Sequence, residues 1–372
     1  PIPLWYQLDH NGQPVYDKPI LPTQEQLPVD PTTDTPAGDT DDQRGQPEGF
    51  AGEPDVMDTW ATSSLTPWIA TRWSDDPNMF ASAFPMDLRP QGPEIIRTWL
   101  FSTLLRGELE TGKLPWKHAT INGWVLDPDR KKMSKSKGNV VTPAELFDRY
   151  GSDAVRYWAC SGRPGVDTAV DHGQLKVGRR LATKLLNVTK FVLGAGAPDG
   201  SATEPLDLAV LAALADLAEQ ATASFDEFDY ARALERTETF LWGFCDDFVE
   251  LTKQRAYGEG TTASSARYTL HTAMSALLRL LAPFVPFATE EAWSWTNDTS
   301  IHRSGWPEPA ELRDPASGGD PAVYHTAAAA LTQVRRAKSN AKRSMRASIQ
   351  VTIARRRLGR GPGLGTWPRA AA

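Results

Sequence analysis

Apolar residues recur at two different periods along this 372-residue chain, and the change of period divides it. Short apolar runs open it: "PIPLWYQLD" and "QPVYDKPIL" read as strands, and the Pro, Asp, Thr and Gly that follow to residue 50 predict an exposed, partly mobile connection that buries little. Between 51 and 175 apolar runs alternate with helical periodicity. In "GPEIIRTWLFSTLLRGELE" the residues Ile95, Ile96, Trp99, Leu100, Thr103 and Leu104 fall on one helical face. "KHATINGWVL" reads as a strand entering a turn. "TPAELFDRYGSDAVRYWACS" predicts a helix with a Thr N-cap and Pro at its first position, broken at Gly151 and restarted by a Ser-Asp cap. Strands interleaved with helices argue for an α/β layer.

After Gly173 the pattern turns to long helices. One stripe is Leu211, Leu214, Ala218 and Ala221, with Asp207 as the solvated start of its helix. A second is Phe240, Phe244, Phe248 and Leu251. A third is Leu270, Ala273, Met274, Leu277, Leu278 and Leu281, closed by Pro283. These stripes predict the core of a helical bundle over 176–312. Residues 313–372 then hold a linker ("DPASGGDPA"), a last helix in "YHTAAAALTQVRRAKSNAKR" and a tail whose Arg, Gly, Pro and Ala predict disorder.

Composition adds exclusions. Two distant cysteines, Cys160 and Cys245, build no disulfide framework and no Cys-x-x-Cys metal pair, which points to a reducing, cytoplasmic compartment. The run "LLRLLAPFVPFA" carries an arginine and two prolines, so no membrane span and no membrane partner is expected. The net charge is −6, but it is unevenly spread. Residues 1–60 hold twelve acidic and two basic side chains, and residues 313–372 the reverse. Nine Lys or Arg and no acid lie between Arg335 and Arg357. Such a field favours either a polyanion or a plain solvated tail.

A second basic cluster is more pointed. "DRKKMSKSKGNVVTP" places Arg130, Lys131, Lys132, Lys135 and Lys137 within eight positions, mixed with Ser134, Ser136, Gly138 and Asn139. A solvated loop or an address signal is the plain reading. Yet the cluster follows a predicted strand and turn and precedes a Pro-initiated helix, where ligands sit beyond the carboxyl ends of strands in α/β layers. Lysines there can meet the phosphates of a nucleotide, and the small residues let the loop move over it.

"KMSKS" at 132–136, with Gly138 and Asn139 behind it, resembles the second signature of class I aminoacyl-tRNA synthetases. "DVMDTWATSSLTPW" (55–68), "RPQGPEIIRTWLF" (89–101), "SIHRSGWPE" (300–308) and "VRRAKSNAKRSMR" (334–346) resemble segments of the valyl-tRNA synthetase family. The resemblance covers roughly residues 1–350. It implies an α/β plus all-α chain: the C-terminal half of a Rossmann-like catalytic domain (51–175), entered by a connective segment from an insertion domain (1–50), then an anticodon-binding bundle.

The resemblance further implies attachment of valine to tRNA(Val) through a valyl-adenylate, with ATP as substrate and Mg2+ beside it. Lys135 would contact ATP with Lys132 supporting the loop, and Met133, Ser134 and Ser136 would complete the nucleotide-facing stretch. Gly92 would lie against the adenosine and Glu94 would bind its ribose. Trp60, Ile95 and Trp99 would line the valine pocket, with core packing as their competing role. Ile95 and Trp99, four apart, would share a helix face.

Two departures qualify this. Pro93 stands where the family carries histidine or an aromatic, so a side-chain contact to the nucleotide is lost. None of the six histidines (His10, His118, His172, His271, His302, His325) forms the family's first signature, His-x-Gly-His. The expectation is therefore a C-terminal half, without its N-terminal partner half and inactive alone in activation. A tRNA-binding module without catalysis is one alternative. An isoleucyl-type fragment is the other, and "MDTW" in place of "VWFD" argues against it.

Overall fold

The computed structural model describes residues 1–348, so the last part of the basic stretch and the tail from Arg355 lie outside the described residues. The chain forms two compact units. The first comprises residues 1–183 with the short returns 222–235 and 284–288, and the second comprises the rest.

The first unit opens with a three-stranded antiparallel sheet in which Trp5–Leu8 lies between Pro14–Ile20 and Phe50–Gly52. The connection from 21 to 49 is exposed over most of its length, as expected, but it is tied in place rather than loose. It wraps Trp5 and Phe50, both essentially buried. The Trp5 indole N–H donates to the Asp34 carbonyl at 3.0 Å, and Arg44 donates to the carbonyls of Pro31 and Asp34 at 2.9 and 2.8 Å. Two aromatics and one arginine order a polar loop that composition alone would leave loose.

Two parallel strand pairs follow. Met86–Gln91 pairs with Trp116–Ile121, and Val125–Leu126 pairs with Thr168–Ala169. The crossover between the first two strands is helical, as periodicity predicts, but it is not one regular helix. A 3-10 turn, Pro93–Ile95, runs into a π turn, Ile96–Leu100, before the α-helix Phe101–Thr111. The wider turn shifts the phase, so Trp99 and Thr103 are buried while Ile96 faces solvent at 38% exposure. Ile95, the other member of the expected i, i+4 pair with Trp99, is the N-cap of this turn and is half-buried.

The second crossover contains Pro143–Tyr150 and Ser152–Cys160, broken at Gly151 as expected; Gly151 takes φ 84°, a left-handed value that favours glycine. The cap differs from expectation. Gly151, not Ser152, is the N-cap, and the Asp153 carboxylate instead accepts the backbone N–H groups of Phe287 and Ala288. Leu146, Tyr150, Ala154, Val155, Trp158, Val170 and Leu175 form the core beneath these helices.

The second unit is helical. Leu211, Leu214, Ala218 and Ala221 of Pro205–Asp226 are fully buried, and the whole predicted stripe of Thr261–Leu281 is buried too. The Phe240–Leu251 stripe fails at its end. A π turn over Phe244–Phe248 inserts one residue of phase, so Thr252 is buried and Leu251 is 37% exposed. Asp207 is not a solvated start either, because its side chain is fully buried against Arg255 and Ser265. Among the described residues one helix, Pro205–Asp226, is long and apolar enough to cross a membrane. Its apolar side chains are spent on the bundle core. The last helix is Pro321–Asn340, N-capped by Asp320.

Candidate active site

The two strands of the larger parallel pair end together. Gln91 is in register with Ile121, and the Asn122 N–H donates to the Gln91 carbonyl at 2.8 Å. Gly92–Glu94 and Asn122–Trp124 therefore leave the sheet side by side at its carboxyl edge. Gly92 caps the Pro93–Ile95 turn, and the Glu94 carboxylate folds back over it into the space a Cβ would need. Gly123 is required for a different reason: a Cβ there would collide with the Val166 carbonyl and its neighbouring backbone.

Trp124 carries the chain from that edge to the basic loop. The Lys132 ammonium stands 3.6 Å over its ring centroid, an attraction between cation and aromatic face. Leu126 bridges back to Lys132, and between them Asp127 closes the turn. Asp127 is almost fully buried. Its carboxylate accepts the Lys131 N–H at 2.7 Å and the Asn139 side-chain amide at 2.7 Å. Those two donors hold it below the ordinary carboxylate range. Asn139 in turn accepts the Ser134 N–H at 3.0 Å through its Oδ1. The Met133 sulfur accepts the Val141 N–H, and the Ser134 and Ser136 hydroxyls lie 3.3 Å apart. Lys135–Lys137 form a single 3-10 turn ended by Gly138 at φ 65°, with Lys135 and Lys137 exposed.

The predicted valine-pocket residues sit on neighbouring elements. Trp60 lies in the short helix Thr59–Ser63, whose N-cap Asp58 accepts the Trp60 N–H, and this helix packs on the Ile96–Leu100 turn. Trp99 is only 4% exposed. Its indole N–H donates to the Ser63 carbonyl at 2.9 Å, and its ring stacks on Trp116 at 5.5 Å. The Arg89 guanidinium stands 3.4 Å over it, and burial pulls the Arg89 pKa down. Arg89 Nε and Gln91 Oε1 are buried without a hydrogen-bond partner. Ile95 is half-buried. Sequence reasoning gave no role to Asp127, Trp124 or Arg89. The "DPD" turn ahead of the lysines was the one local signal for Asp127.

In the second unit part of the basic stretch is already engaged. Arg335 pairs with Asp247 at 2.7 Å, and Lys338 donates to the Met345 carbonyl at 2.8 Å. Arg336, Lys342, Arg343 and Arg346 remain exposed.

Comparison with known proteins matches this division. Residues 1–171 match the family described as tRNA synthetases class I (I, L, M and V), and residues 207–353 match the anticodon-binding domain of tRNA ligase. A LeuRS of Agrobacterium radiobacter K84, solved as a ternary LeuRS-tRNA-LeuAMS complex, shares the fold over 84% of this chain and 42% of its own, with TM-score 0.64 at 20% identity. The chain belongs to the class I tRNA synthetases. Within them it is similar to valine--tRNA ligases: it is 58% identical to that of Thermobifida fusca over 95% of this chain, and 56% identical to that of Salinispora arenicola over 94%. It spans 41% and 43% of the length of those two relatives.

Proposed function

We propose that this chain supplies the nucleotide loop, part of the amino-acid pocket and the tRNA-binding bundle of an enzyme that joins valine to tRNA(Val). The observation that carries this is the loop 127–139, anchored at the carboxyl edge of the parallel strands with its lysines outward. In the first step a valine carboxylate oxygen attacks the α-phosphorus of ATP, and the bond to the β-phosphate breaks to release pyrophosphate. In the second a ribose hydroxyl at the tRNA 3′ end attacks the acyl carbon and AMP leaves. Lys135 faces the phosphates as charge grows on the leaving group, while Lys132, stacked on Trp124, holds the loop's base. Met133, Ser134 and Ser136 shape the stretch between, with Gly92 and Glu94 toward the adenosine.

Among the described residues no cluster of three His, Cys, Asp or Glu side chains could hold a metal ion. That does not bear on a magnesium ion accompanying ATP, which takes most of its ligands from the phosphates and water and one or two carboxylates at most from protein. The reaction and the two free thiols, Cys160 half-buried and Cys245 buried, fit the cytoplasm. The test is valine-dependent exchange between ATP and pyrophosphate. It is expected from an enzyme completed to the length of the relatives and not from this chain alone, since positioning on both sides of the α-phosphate supplies much of the barrier reduction. Robust exchange by the chain alone would refute the division of labour proposed here.

Trp60, Ile95 and Trp99 are proposed to shape the valine pocket. Trp99→Ala removes a buried indole, at a cost of about 3–5 kcal/mol of stability. It should also weaken valine-over-isoleucine discrimination, since one methylene is worth only about 1–3 kcal/mol in such a site. Trp99→Phe keeps a ring against Trp116 and separates the two roles. An unchanged valine-to-isoleucine ratio in both variants would leave Trp99 as packing alone.

The bundle and the basic stretch are proposed to bind tRNA through its phosphates. Affinity measured between about 50 and 200 mM salt should fall with a log-log slope of about −0.7 to −0.9 per phosphate neutralised. Replacing Arg336, Lys342, Arg343 and Arg346 should flatten that slope. A slope unaffected by these changes would remove the polyanion role from this segment.

A further inference from the structure

The basic loop is tied at its base by two side chains. Asp127 and Asn139 are twelve residues apart, one on each side of the lysines. Their side chains meet at 2.7 Å and between them take one backbone N–H from the ascending limb (Lys131) and one from the signature itself (Ser134). The same Asn139 amide also lies 3.3 Å from the Lys132 carbonyl. The turn beneath is tight: Asp127 N–H donates to the Lys131 carbonyl, Arg130 N–H donates to the Asp127 carbonyl, and Arg130 is held at φ 63°, a left-handed value uncommon for a residue with a Cβ. A ring of hydrogen bonds thus fixes where the limbs start while leaving Lys135 exposed at the tip.

We propose that Asp127 and Asn139 form a clasp that positions the loop, so that Lys135 is presented to the nucleotide from a base held in place beside Lys132. This rests on the reading of the loop as a nucleotide site. The pairing is direction-specific. Asp127 accepts from Lys131 and Asn139, while Asn139 donates to Asp127 and, more weakly, to the Lys132 carbonyl and accepts from Ser134, so the pairing depends on which side chain carries the NH2. In Asp127→Asn two NH2 groups face each other; if Asn139 turns over to escape, its NH2 faces the Ser134 N–H. In Asn139→Asp two carboxylates face each other. The reciprocal double variant, Asp127→Asn with Asn139→Asp, restores every bond but the weak one to the Lys132 carbonyl. The amide at position 127 then accepts from Lys131 and donates to the carboxylate at position 139, whose second oxygen accepts from Ser134. Net charge is unchanged by the exchange.

Two measurements test it. Hydrogen exchange on this chain should show the Ser134 or Lys131 amide exchanging about tenfold faster in each single variant, the effect of about one hydrogen bond, with most of the protection returning in the double. In the completed enzyme each single variant should lower kcat for valine activation by about 10- to 100-fold, the cost of a small misplacement of reacting groups. KM for valine should stay near wild type, and the double variant should recover most of the rate. Lys135→Ala is the control for the underlying reading. Single variants with unchanged amide exchange overturn the clasp. Variants that loosen the loop but activate valine at the wild-type rate, in an enzyme that Lys135→Ala disables, overturn the positioning role and leave the proposed function standing. An enzyme that Lys135→Ala does not disable overturns the proposed function, and the positioning role with it.

Discussion

Lys135→Ala, in an enzyme completed to the length of the relatives, is expected to slow valine activation by about two to three orders of magnitude, the usual loss when one preorganised donor to developing charge is removed. Lys135 begins the 3-10 turn directly after Ser134, whose N–H is held by Asn139, so its backbone is fixed while its side chain stays free to meet a phosphate. Lys132 is different. Its ammonium is committed to the Trp124 face, so Lys132→Ala should loosen the loop and cost less. Lys137 lies at the end of the turn, beside Gly138 and outside the matched signature; Lys137→Ala should change the rate only a few-fold. The ratio of the Lys135 and Lys137 effects, read by ATP–pyrophosphate exchange at saturating valine, decides the matter. Equal effects would reduce the loop to a basic patch that attracts nucleotide without directing it.

The helical stripes and the strand-loop-helix order around the lysines were legible because hydrophobic burial writes a period into the sequence. What was not legible has a common cause: places where one residue or one pair changes the geometry without changing the composition. The π turn at Phe244–Phe248 hands burial from Leu251 to Thr252, and the one at Ile96–Leu100 turns Ile96 outward. Neither turn has a local signal, since each is a single added residue accommodated by packing. The polar connection after Ile20 is ordered by Trp5, distant in sequence from the Asp34 carbonyl it reaches, and by Arg44 within the connection, which also stands over Phe50. At the site the lysines were visible by charge density. Asp127 was hidden among the acidic residues because its role depends on Asn139, and only the fold brings the two together.

Asp207 is the clearest such case, and its replacement should carry a large stability cost. Its side chain is fully buried and receives both guanidinium nitrogens of Arg255, at 2.6 and 2.7 Å, with the Ser265 hydroxyl at 2.6 Å. The Ser265 oxygen accepts the N–H groups of Thr203 and Glu204, so the carboxylate also orders the segment leading into Pro205–Asp226. Asp207→Ala leaves Arg255 without its counter-charge and Ser265 without its acceptor. Removing one member of a buried pair costs about 3–5 kcal/mol. Arg255 keeps about a quarter of its side chain in water and a bond to the Thr262 carbonyl, which places the expected loss near about 3 kcal/mol, the lower end of that range. For a unit of this size that is a fall of roughly 6–12 °C in the Tm of the bundle. Asp207→Asn, which keeps one acceptor, should lose less. A double replacement by apolar residues of similar volume should recover much of the loss, because it leaves no buried charge unpaired. Thermal unfolding followed by circular dichroism distinguishes these outcomes: a loss under about 1 kcal/mol for Asp207→Ala would mean the pair behaves like a surface ion pair, despite its burial.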